Sequence, residues 1–207
     1  RLGLSGTPLN ETLVCLHQIL PQFQRENKVQ KVQCIILTDG EAAHLARHVV
    51  VQRHWENEPY MGRRQLQMGS FLRDRKTGNT YQIPSGWHGF SDLMLHNLRD
   101  NFPTVNFVGI RVLESRDANS FIKMYYDQFT DEYQKVFGDW KKLRSFTIKN
   151  SGYHAYFGMS ANTLSQNSEF EVDEDATKAK IKSAFIKSLK TKKLNKKVLG
   201  EFISLVA

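Results

Sequence analysis

The sequence predicts an α/β protein: an open, mostly parallel sheet flanked by helices, with a β-hairpin insertion and a basic helical C-terminal extension. Three observations carry this. An amphipathic helical pattern over Pro8–Gln24 leads into a short β-branched run, Val32–Leu37, that stops at Thr38-Asp39-Gly40. A second pair repeats the grammar, with Ser91–Arg99 helical and Phe102–Leu113 extended. An acid stands where the first run ends, and in open α/β sheets ligands sit outside the carboxyl ends of the strands.

Each element has its own reason. In Pro8–Gln24 the apolar residues Leu9, Leu13, Leu16, Ile19, Leu20 and Phe23 recur at three- and four-residue spacing, and Pro8 suits a first helical turn. This is the pattern of a helix packed on a sheet. Val32–Leu37 reads as a strand buried on both faces, as parallel strands usually are. Leu93, Leu95 and Leu98 mark the crossover helix, and Phe107-Val108-Gly109-Ile110-Arg111-Val112-Leu113 the strand that a right-handed connection delivers. Asp117–Tyr126 is the next expected helix and Leu143–Lys149 a third strand. Between the first two strands lies a polar, glycine-rich insertion, Glu58–Gly89. In it Ser70–Arg75 and Thr80–Ile83 flank Lys76-Thr77-Gly78-Asn79 as a β-hairpin. Ser165–Asp175 is polar and acidic and reads as a linker. After it, Ile181, Phe185, Ile186 and Leu189, then Leu194, Val198, Leu199, Phe202 and Ile203, define apolar faces on two helices.

Composition bounds the function. A chain of 207 residues with 13 Phe, 7 Tyr and 3 Trp can build one sizeable core, so a packed interior is expected. No run of about 18 apolar residues is present to span a bilayer. Arg1-Leu2-Gly3-Leu4-Ser5 lacks the apolar stretch of a signal peptide, and a start at Arg suggests a trimmed chain. Cys15 and Cys34 read as core thiols of a reducing, cytoplasmic compartment, with a disulfide between them left open. The net charge of +8 is local: nine lysines and no acid lie between Ala176 and Gly200, which leaves the rest of the chain near −1. Lys187, Lys190, Lys192, Lys193, Lys196 and Lys197 crowd its end and form the candidate anion-binding tail. Three readings stand for this tail: solvated helix faces, docking to an acidic protein, or nucleic-acid binding without stacking platforms of its own.

Two short stretches carry the candidate chemistry. Ser5-Gly6-Thr7-Pro8-Leu9-Asn10-Glu11 places a hydroxyl in a glycine-containing loop that opens a helix. Ile35-Ile36-Leu37-Thr38-Asp39-Gly40-Glu41 places a carboxylate at a strand end. Both supply hard oxygen donors of the kind magnesium prefers. Taken singly, Thr7 also fits a helix N-cap and Asp39 a turn residue. His44 and His48 stand four apart on an expected helix, with His54 nearby; zinc could use such spacing, but no third ligand is fixed, and incidental surface histidines are the simpler reading. His88 and His154, each beside an aromatic, read as hydrogen-bonding residues. No nucleophile elbow, Walker loop or dinucleotide fingerprint occurs, so any nucleotide-driven work belongs to a partner.

Ser-Gly-Thr-Pro-Leu-Asn-Glu and Leu-Thr-Asp-Gly-Glu together resemble the von Willebrand factor A (vWA) family, whose metal-ion-dependent adhesion site (MIDAS) combines an Asp-x-Ser-x-Ser loop, a Thr loop and an Asp-Gly strand end. The wording is closest to cobaltochelatase-subunit-like and MoxR-associated members found in bacteria and phages. The resemblance implies a vWA-like, Rossmann-like fold, with Thr7 and Asp39 as metal ligands and Ser5, Gly40 and Glu41 beside them on the partner-binding face. Asp-x-Ser-x-Ser is missing here. The chain then corresponds to the C-terminal portion of such a domain over 1–164, a linker over 165–175 and a lysine-rich extension over 176–207. Its magnesium, or another divalent cation, depends on ligands supplied from before Arg1 or from another chain that completes the sheet.

The function implied is a magnesium-dependent protein interaction module, cytoplasmic and without catalysis of its own. It acts with an AAA+ ATPase whose acidic residue fills the ion's open position. A second reading is a non-catalytic subunit of a tetrapyrrole metal chelatase. A third is a nucleic-acid-associated phage protein using the tail.

Overall fold

The computed structural model describes residues 7–38, 42, 45–66, 69–84, 87–161, 200–201 and 203–204. Among them are four helices and eight strands, forming an α/β protein with a mixed sheet of parallel and antiparallel strands. The chain divides into two compact units. The first holds residues 1–34, 40–107 and 152–154, the second 35–39, 108–151 and 155–207. No helix among the described residues is long and apolar enough to cross a membrane.

In the first unit, α1 (Leu9–Asn27) packs along α2 (Trp87–Asn101). The buried stripe of α1 is Asn10, Leu13, Leu16 and Leu20, whereas Ile19 and Phe23 face solvent, which narrows the apolar face expected from spacing. α2 contributes Phe90, Leu93, Met94, Leu95 and Leu98, and Phe102, Val105 and Phe107 continue that core. Two hairpins belong to this unit. β2 (Ala46–Val51) pairs antiparallel with β3 (Tyr60–Gln65), and β4 (Phe71–Arg73) pairs antiparallel with β5 (Thr80–Gln82). The second is the expected hairpin, closed by Gly78 at φ +80°, a left-handed conformation that favours glycine. The first corrects two expectations: the inserted strands start at Ala46, and His48 lies on β2 instead of a helix. The run Val49-Val50-Val51 is β-branched throughout, which outweighs an i, i+4 histidine coincidence.

The four-stranded sheet has the order β1-β6-β8-β7, with β1 Val32–Thr38, β6 Val105–Leu113, β7 Ser145–Ile148 and β8 Ala155–Ser160. Val108–Leu113 run parallel to Ala155–Ser160, and β7 is antiparallel to β8. β1 lies at the sheet's margin, and Ile35 and Leu37 are 51% and 67% exposed, so this strand is not buried on both faces as expected. Marginal position removes a neighbour on one side, and alternate residues share a face, so both exposed residues lie on the same one.

In the second unit, α3 (Ala118–Tyr125) and α4 (Asp131–Leu143) close an aromatic core. The Phe121 ring meets Tyr125, Phe146 and Tyr156, and Trp140 lies edge-on to Phe146 at 5.7 Å. Gly158 makes this packing feasible, since a Cβ there would come within 2.2 Å of the Phe146 ring. Both cysteines are free thiols, Cys15 exposed and Cys34 half-buried, so the expected core role fails for Cys15.

Candidate functional site

Thr7 is the one predicted ion ligand among the described residues, and its backbone forms a parallel bridge with Ala42. That bridge sets its role locally. The N-cap position of α1 belongs to Pro8 and carries no side-chain cap bond, so Thr7 is not the helix cap that its type suggests. Pro8 instead offers its carbonyl to both the Thr12 amide at 3.0 Å and the Thr12 hydroxyl at 2.8 Å. One turn on, Asn10 is fully buried, and its Oδ1 accepts a hydrogen bond from Ser91 Oγ of α2 at 2.8 Å. The first turn of α1 is therefore fastened to α2 just beyond Thr7. Sequence reading passed over Asn10, though a polar residue three before Leu13 on an apolar stripe was the available signal.

Ala42 is 3% exposed and follows Asp39-Gly40-Glu41 in sequence. Ser5, Asp39, Gly40, Glu41, and Lys187, Lys190, Lys192, Lys193, Lys196 and Lys197 lie outside the described residues. Among the described residues, no group of three or more His, Cys, Asp or Glu is placed to hold a metal ion. His44 lies outside the described residues, and His54 lies edge-on to Trp55 at 4.4 Å.

The strongest polar assembly is one that no motif announced. Asp74, at the mouth of the β4–β5 turn, accepts from the backbone amides of Lys76 at 2.7 Å and Thr77 at 3.2 Å, and from the side-chain amides of Asn97 at 2.6 Å and Asn101. Four donors favour the charged form. The Asn101 amide foremost, with Asn97 and the two backbone amides, holds the Asp74 carboxyl well below the usual carboxylate range, against a burial cost that pulls upward. Beside it, Asp100 accepts from the Tyr81 hydroxyl and from Asn79 at 3.0 Å. The spacing Asn97, Asp100, Asn101 places all three partners on adjacent turns of α2, which only a helix assignment through Asn101 would have exposed.

A second assembly surrounds residues 152–154. His154 exchanges two bonds with Phe107: its amide donates to the Phe107 carbonyl at 2.8 Å, and its Nδ1 accepts from the Phe107 amide at 2.9 Å. Burial first, and then the nearby Arg99 guanidinium, push the His154 imidazole below its ordinary value, keeping it a neutral acceptor. The expectation of a hydrogen-bonding histidine holds here.

In the second unit, a cleft of about 380 Å³ opens at the carboxyl ends of β6 and β8, lined by Leu113, Glu114, Ser115, Arg116, Ser160 and Ala161. Arg116 is paired with Glu114 at 2.9 Å on the open surface. On β7, Thr147 donates to the Glu201 carboxylate at 2.7 Å, seating the described end of the C-terminal segment.

Compared with family models, curated proteins and solved structures, the chain matches none.

Proposed function

We propose that this chain is a vWA-like portion of a magnesium-dependent protein interaction module that works with an AAA+ ATPase of the MoxR or cobaltochelatase type. The observation that supports the reading best is the Thr7–Ala42 bridge, because it ties the Thr-bearing turn to the residue immediately after Asp39-Gly40-Glu41. The donor chemistry fits the ion: a Thr hydroxyl with Asp and Glu carboxylates is an all-oxygen set suited to a hard cation.

Thr7 supplies a neutral oxygen, directly or through water, and Asp39 supplies charge. Glu41 tunes the local potential, and Ser5 and Gly40 border the partner's approach. Asp-x-Ser-x-Ser is absent from these residues, so further donors come from elsewhere. When bound, the cation supplies an electrophilic position that a partner's carboxylate fills. The helix α1 does the mechanical part. Its first turn, locked through Asn10 and Ser91, keeps the hydroxyl-bearing loop from drifting when a partner pulls on it.

Co-expression with a MoxR-type ATPase tests this. Co-purification should require magnesium, vanish in EDTA and be lost in Asp39→Ala, with Thr7→Ala weaker than the parent. Association that survives both EDTA and Asp39→Ala overturns the reading.

A further inference from the structure

The β2–β3 ribbon begins four residues after Ala42, and its construction asks for a partner. Among the described elements, β2 and β3 pack substantially only on each other. A two-stranded ribbon is marginal in water unless something more covers it. Yet Val50 and Met61, directly opposite in register, are 69% and 64% exposed, and Trp55 at the tip is 65% exposed.

Charge decides the kind of partner. From Ala46 to Leu66 the ribbon carries four arginines and two histidines against two glutamates. The register sets Arg47 opposite Arg64 and His48 opposite Arg63. Like charges directly opposite on a sheet destabilise it, and the four-residue step puts the Arg47–Arg64 rung on the same face of the ribbon as Tyr60, so an anion bound along that face relieves the repulsion. At the other end the Arg53 guanidinium lies 5.6 Å from the centre of the Trp55 ring and 5.5 Å from that of Tyr60. Its ion pair with Glu56 is long, 3.9 Å, and the guanidinium side of it is half open to solvent while the carboxylate is partly buried.

Cations paired across the base and a cation held among exposed rings at the tip match a polyanion that carries planar groups. An acidic protein surface would answer the arginines alone. The paired rungs extend about 20 Å, the length of about six stacked nucleotides. We infer that the β2–β3 ribbon is a single-stranded nucleic-acid-binding arm, with phosphates taken by the Arg47–Arg64 rung and a base stacked at the Trp55–Tyr60 tip. Stacking on exposed aromatics beside a basic track is how single strands are held without sequence readout. Its residues are none of the tail lysines.

Fluorescence anisotropy of the full chain with a labelled oligothymidylate of about twelve nucleotides tests the arm. Binding should weaken steeply with salt. Trp55→Ala should lower affinity about tenfold. Paired Arg47→Glu and Arg64→Glu substitutions should lower it further and flatten the salt slope. Replacing the six tail lysines from Lys187 to Lys197 by alanine should leave the Trp55-dependent component in place. Trp55 is exposed, so its variant keeps the measurement decisive even where the double charge reversal disturbs the ribbon. The inference is overturned if affinity ignores both ribbon variants and follows the tail lysines. Salt-independent binding, or binding of a labelled polyglutamate peptide with none to oligothymidylate, overturns it equally.

Discussion

The two hairpins of the first unit use the same backbone geometry and are held in opposite ways. β4–β5 has only three residue pairs, fewer than the six of β2–β3, yet it is the better anchored. Asp74 ties its turn to Asn97 and Asn101, Asp100 takes Tyr81 and Asn79, and Ile83 just after β5 is 3% exposed. Among the described residues the longer ribbon has no comparable fastening, and it shows its apolar pair to water. Strand length therefore does not set the order of these hairpins. What sets it is whether a neighbouring element supplies donors and a face, and here α2 does so for one hairpin.

Disturbing α2 should break the contrast most strongly. Gly152 lies against that helix: its amide donates to Asp92 Oδ1 at 2.8 Å, and Arg99 donates to its carbonyl at 3.1 Å. A Cβ at this position would come within 2.6 Å of the Asp92 carbonyl oxygen and 2.7 Å of its Cα, both backbone atoms that cannot swing aside. Gly152→Ala should cost about 3 kcal/mol in urea unfolding. Amides of β4 and β5 should lose hydrogen-exchange protection, while those of β2 and β3 change little. An unchanged midpoint would show that the loop can lift away from α2 without strain.

Removing the anchor's charge is a smaller step with a distinct pH signature. Asp74→Asn should destabilise by about 2 kcal/mol at neutral pH, because an amide cannot accept from four donors as a carboxylate does. The sign follows from the lowered folded-state value. An unfolded Asp74 titrates near its ordinary 3.8, so the carboxylate's contribution is complete above that value and is lost as pH falls from there toward the folded value. The gap between parent and variant should shrink in that acid range. His154 acts earlier: its folded value lies below the ordinary 6.5, so acidification beneath about 6.5 favours the unfolded, protonated imidazole. Both chains share that loss, which therefore cancels in their difference. A gap that stays constant down to low pH would mean Asp74 acts through shape and not charge.

The same contrast explains which parts of the molecule were legible beforehand. Helices α1, α2 and α3, strands β1, β6 and β7 and the β4–β5 hairpin follow from spacing and turn chemistry within each segment. α4 was passed over although its signals are local: Thr130 accepts from the Tyr133 amide at 3.3 Å, Asp131 and Glu132 open the helix, and Lys141 and Lys142 close it. β8 was missed because Gly158 weakens a strand pattern, and its reason is the Phe146 ring on β7, which no local window contains. Exposure of Ile35 and Leu37 was likewise illegible, since sheet order decides it. Of the candidate site, Thr7 stood out by type, but its bridge to Ala42 is a long-range fact, as is the burial of Asn10 against Ser91.

The ribbon supplies the smallest expected effect and the sharpest use of the comparison. Val50 and Met61 are strand residues of the apolar kind that a core would bury, so a reading from sequence alone would charge their loss at core rates. Their exposure says otherwise: little apolar area is withdrawn from water, and only the cross-strand contact between them is at stake. Replacing both by threonine, which keeps strand propensity, should change global stability by no more than about 0.5 kcal/mol. Ribbon amides should exchange rapidly in parent and variant alike, since an element with few buried contacts opens at low free energy. A loss of about 2 kcal/mol or more would mean that the pair is covered in solution by another part of the protein or by a second copy. In that case the difference between the hairpins would reduce to which face each one hides.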